Sequence, residues 1–75
     1  MKREMIVRVS YVCDGKEHHR IFVKYGDMLS LEKGFNDVKD MYLSLQKTND
    51  MRNLKITSEM VLETRPMKFN FASKY

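Results

Sequence analysis

A chain of 75 residues, 43% hydrophobic and 32% charged, is sized for one folded domain, too small to enclose a deep catalytic cavity and too apolar to stay disordered. Its net charge of +4 favours acidic partners, nucleic acid first among them. The lone cysteine, Cys13, excludes an internal disulfide and fits a reducing compartment, and no apolar run reaches the roughly 18 residues of a membrane span.

The first residues are basic and then apolar, as in a targeting segment, but Arg8 interrupts the run and residues 5–13 alternate as a strand does. Met5, Val7, Val9 and Tyr11 form one face of this first strand, residues 5–12. Residues 17–25 repeat the pattern, with His19, Ile21, Val23 and Tyr25 set against His18, Arg20, Phe22 and Lys24. Between the strands, Asp14-Gly15 marks a hairpin turn. A two-residue loop would put Arg20 and Lys24 on the same face as Met5, Val7 and Val9. A three-residue loop, Cys13-Asp14-Gly15, places Val7 opposite Ile21 and Met5 opposite Val23, giving a single apolar face. The hairpin is therefore expected in the three-residue form. The opposite face then carries Arg8 beside Arg20, Ile6 beside Phe22 and Glu4 beside Lys24, with Lys55 joining from a third strand.

After "YGDMLS" the period changes. Phe35, Val38, Met41, Tyr42 and Leu45 follow helical spacing, with the start between Ser30 and Phe35; Leu31 and Leu43 fall off this stripe and are expected to be exposed. Asp37 and Asp40 suit the helix's early turns and Lys47 its end. "KTNDMRN" stops the helix, and "NLKITSEMVLE" makes a third strand with Leu54 and Ile56 inward. Beyond Arg65-Pro66, "MKFNF" is either a fourth strand or a docked tail. The expected fold is α+β, a small antiparallel or mixed sheet in β-β-α-β order with one helix on one face. The core spans residues 5–57, and 58–75 form a strand extension and aromatic tail.

The run "VSYVCDGKEHHRIFVKY" followed by "FNDVKDMYLSLQKTNDMRNLKI" resembles the layout of small ββαβ proteins of tailed phages. There a D/N-G-K hairpin precedes a helix with an aromatic near its end and a short strand. The resemblance implies a regulatory or host-modifying role in a bacterial cytoplasm and brings no active site with it.

No motif in the chain names an activity. His18 and His19 point to opposite faces of a strand and cannot share a metal ion. Cys13 has no evident base or oxyanion donor. Gly15, Gly26 and Gly34 are isolated, so no phosphate loop exists. A non-enzyme without cofactor is expected. Arg8, Arg20, Phe22, Lys24 and Lys55 are the candidate anion, nucleic-acid or partner-binding residues. Phe69, Phe71 and Tyr75 are the candidates for a partner or dimer interface. The leading expectation is a small regulatory protein that occupies a host protein or protein–RNA complex. A direct RNA or single-stranded DNA binder and a self-associating homodimer are the alternatives.

Overall fold

The computed structural model describes residues 3–63 and 65–74. Its elements are β1 (Arg3–Cys13), β2 (Lys16–Gly26), α1 (Met28–Thr48), β3 (Met51–Met60) and β4 (Pro66–Ala72). The strands form one antiparallel sheet in the order β2-β1-β3-β4, an α+β fold with the helix on a single face. The segment "MKFNF" is thus the fourth strand.

The hairpin takes the two-residue loop, so the expected three-residue register is overturned. Cys13 pairs with Lys16, Val9 with Arg20, Val7 with Phe22 and Met5 with Lys24. Asp14 and Gly15 have φ of 55° and 74°, the pair of left-handed conformations of a type I′ turn. That turn twists in the same sense as the strands it joins, and Asp and Gly both tolerate it. Phe22 therefore joins the helix-facing side, while Ile21, Val23 and Tyr25 face away from the helix. The expectation of a single apolar face failed because β2 is an edge strand under the margin of one helix. One aromatic and the stems of long cations are enough to fill that margin.

The helix begins earlier than expected. Asp27 caps it, its side chain accepting from the Ser30 N–H at 2.9 Å, and this contact holds the carboxyl below its usual 3.8. The core stripe is Leu31, Phe35, Val38 and Tyr42, so Leu31 is fully buried, contrary to expectation; Leu43 packs partly on the core, and Met41 and Leu45 are exposed. Asp37 and Asp40 accordingly lie mid-helix, where Asp37 pairs with Lys33 at 3.2 Å.

Met5, Val7, Val9, Leu54, Ile56 and Phe69 complete the core, and the Phe35 and Phe69 rings meet at 5.9 Å. Two irregularities adjust the sheet. On β3, Met51 and Leu54 are both buried although an odd spacing would put them on opposite faces. The β1–β3 register shifts between Ser10 and Val12, and Asn53 sits in the left-handed region at φ 56°, absorbing the extra residue as a bulge. On β4, the register shifts between Thr57 and Glu59, and the buried Ser58 hydroxyl donates to the Phe69 carbonyl at 2.6 Å.

Candidate binding surface

Strand β2 lies at one edge of the sheet, and among the described residues no strand pairs with its outer side. The pair closing a two-residue loop is hydrogen-bonded, so even-numbered β2 residues bond to β1. Odd-numbered residues 17, 19, 21, 23 and 25 direct their N–H and C=O groups outward. Two contacts agree with this phase. The Val61 N–H donates to the Glu4 carbonyl at 3.1 Å, so even β1 residues face β3. Arg20 Nη1 donates to the carbonyl of His19 at 3.1 Å, which places that guanidinium at the sheet's rim.

Alternation gives the two sides of β2 different chemistry. Away from the helix, Ile21, Val23 and Tyr25 are 60%, 46% and 66% exposed, with the half-buried Ile6 opposite Val23. Toward the helix stand Lys16, His18, Arg20, Phe22 and Lys24. Among the described residues, no acidic side chain belongs to that face of β1 or β2. The Lys24 stem packs over the helix at Gly34, where an added Cβ would lie 3.1 Å from Lys24 Cγ. This contact accounts for a glycine inside a helix, where it otherwise costs about 1 kcal/mol.

Between the cations runs an aromatic line. His18 stacks on Tyr11 at 5.1 Å, Tyr11 meets Tyr42 at 5.9 Å, and Phe22 meets Tyr42 edge-on at 6.2 Å. Burial pushes the Tyr42 phenol above its usual 10.0, the neighbouring Tyr11 adds to this, and Arg20 pulls the other way.

The expected basic face is divided. Arg20, Phe22 and Lys24 come together on the helix side of β2, whereas Arg8 and Lys55 lie on the open side of β1 and β3. Arg8 faces Ile21, not Arg20, and its guanidinium pairs with Glu59 at 3.0 Å. A shallow depression on the open side is lined by Arg8, Ser10, His19, Ile21 and Lys55, with Arg20 at its rim. Its charge is offset by Glu59 and by Glu17, which lies 3.4 Å from His19. Phe69 is in the protein's own core, and Phe71 packs partly against it opposite Ile56, so neither forms a free aromatic tail. Tyr75 lies outside the described residues.

The sequence contained the signal for the exposed row, in the alternation of Ile21, Val23 and Tyr25, but its face depended on the loop length. A second depression, at the helix C-terminal end between Leu43, Lys47, Asp50, Arg52 and Lys74, had no sequence signal, because it joins segments distant along the chain. Among the described residues, no three His, Cys, Asp or Glu side chains converge, and no helix is long and apolar enough to cross a membrane. No family model, curated protein or solved structure matches the chain.

Proposed function

We propose that this is a non-enzymatic binding protein that acts by occupying the surface of a partner protein, with β2 as its working part. One observation carries the reading: β2 has an uncovered apolar row on one side and an acid-free cationic row on the other. On the open side the apolar row is flanked by Arg8, His19 and Lys55, and an apolar centre with charges around it is the usual composition of a protein contact. The layout resemblance adds a phage origin and a target in a bacterial cytoplasm, a host protein or protein–RNA complex. The aromatics alternating with Lys16, Arg20 and Lys24 favour single-stranded nucleic acid as a second reading. His18 is stacked on Tyr11 and Phe22 packs edge-on against Tyr42, which leaves less of their faces for bases.

The test is affinity capture from bacterial lysate, with and without nuclease, comparing the wild-type chain with a folded Ile21→Ser/Val23→Ser variant. A protein retained after nuclease treatment by the wild type and lost by the variant supports the reading. Capture that depends on nucleic acid supports the second reading, and capture unchanged by the variant overturns the first.

A further inference from the structure

We infer that the outer edge of β2 accepts an extended segment of the partner as a fifth strand, and that this segment alternates acidic with apolar residues. The inference rests on the protein-binding reading above and names the chemistry of the partner.

Three features combine along the same strand. The edge is long, eleven residues from Lys16 to Gly26, and its odd residues offer outward N–H and C=O groups. An added strand satisfies both kinds of group, whereas a phosphate backbone has no use for a row of carbonyls. Side chains of an added strand fall on the same faces as those they oppose. Residues opposite Ile21, Val23 and Tyr25 meet an exposed apolar row and are best apolar themselves. Residues opposite Lys16, Arg20 and Lys24 meet cations with no carboxylate on their own face, and the Arg20 guanidinium already stands at the rim. Acidic residues at those places form cross-strand ion pairs.

The same charges decide against a second copy of the chain. A twofold-related β2 edge would bring a second row of Lys16, Arg20 and Lys24 to the same face of the new ladder, and among the described residues neither β1 nor β2 has a carboxylate on that face to neutralise either row. Charges pointing to the packed side of an edge strand are a known means of blocking self-pairing. They block a like strand and admit an acidic one.

The probe is an end-capped synthetic peptide alternating valine with glutamate, compared with a valine–lysine counterpart. Binding is followed by calorimetry and by amide hydrogen exchange on the full chain. The glutamate peptide is expected to bind about tenfold or more tightly than the lysine peptide and to weaken as salt shortens the screening length from about 10 to 3 Å. It should slow exchange at the N–H groups of residues 17, 19, 21, 23 and 25. Of two peptides N-methylated at the valines or at the glutamates, one should lose binding and the other keep it, because only one set of N–H groups faces the edge. Arg20→Gln/Lys24→Gln should erase the preference between peptides, and retained exchange protection in β1 and β3 shows that this variant is folded. Equal affinity for the two peptides, binding that survives both N-methylation patterns, or unprotected odd amides at saturation overturns the inference. So does concentration-dependent protection of those amides in the free protein, which gives the edge to a second copy. Tighter binding of a polyuridine oligonucleotide gives the row to nucleic acid and also overturns it. If the peptide fails while Ile21→Ser/Val23→Ser still loses the captured protein, strand addition is wrong and the binding reading stands.

Discussion

Left-handed backbone at Asp14, Gly15 and Asn53 places three residues where a side chain with a branched or bulky Cβ is strained. Each position has a register to hold: the first two set the β1–β2 phase, and Asn53 lets Met51 and Leu54 reach the same core. Gly15→Ala should cost about 1 kcal/mol by strain alone, since nothing lies within 4 Å of the added carbon. Asn53→Ala should cost about as much and Asn53→Gly nothing, a difference readable in urea midpoints. Tyr42 makes a pH-dependent contribution. Burial first, then Tyr11, raises its phenol above 10.0, so the fold favours the protonated form. That stability is present below about pH 10 and is lost as pH rises through the folded value. The wild type should therefore weaken more steeply than Tyr42→Phe in alkaline denaturation series.

At the scale of elements, the two edge strands β2 and β4 differ in how much of their apolar content reaches the core. The longer strand, β2, contributes mainly Phe22 to the helix side and exposes Ile21, Val23 and Tyr25. The short strand β4 supplies Phe69 to the core, and just beyond it the Ser73 N–H donates to the Leu54 carbonyl at 2.8 Å. Phe22→Ala should then cost about 2 kcal/mol and Ile21→Ala less than about 1, whereas the three-residue register would reverse that order. Chemical denaturation of the two variants distinguishes the registers. Removing residues 66–74 should abolish cooperative folding, measured by circular dichroism. Phe69 alone accounts for about 3 kcal/mol, and a chain of this length has a total stability of roughly 4–11 kcal/mol.

For the whole molecule, one helix cannot cover both faces of a four-stranded sheet. The helix covers the face carrying Met5, Val7, Val9, Leu54 and Ile56, and among the described residues no element covers the second face. An open sheet face and a long edge strand are liabilities unless charge or a partner manages them. Here Arg20 and Lys24 lie beside the edge and the apolar row lies on the open side, so the proposed partner contact and the charges that oppose self-pairing both fall on β2.

The sequence by itself determined the α+β class, the order of elements, the inward faces of β1 and β3, and the opposed directions of His18 and His19. These follow from local periodicity, in which a side chain's direction depends on its near neighbours. Tertiary structure decided the hairpin phase. Either loop length suits Asp14-Gly15, and a slip of one residue moves every β2 side chain to the other face. Packing decided it by accepting Phe22 against Tyr42 and the Lys24 stem over Gly34. It likewise buried Leu31, exposed Met41 and Leu45, and drew Phe69 into the core. A helical stripe read from the sequence can be rotated by about 100° for each residue of shift, and only the sheet beneath fixes its angle. The division of Arg8 from Arg20, and with it the acid-free row on β2, follows from that same one-residue phase.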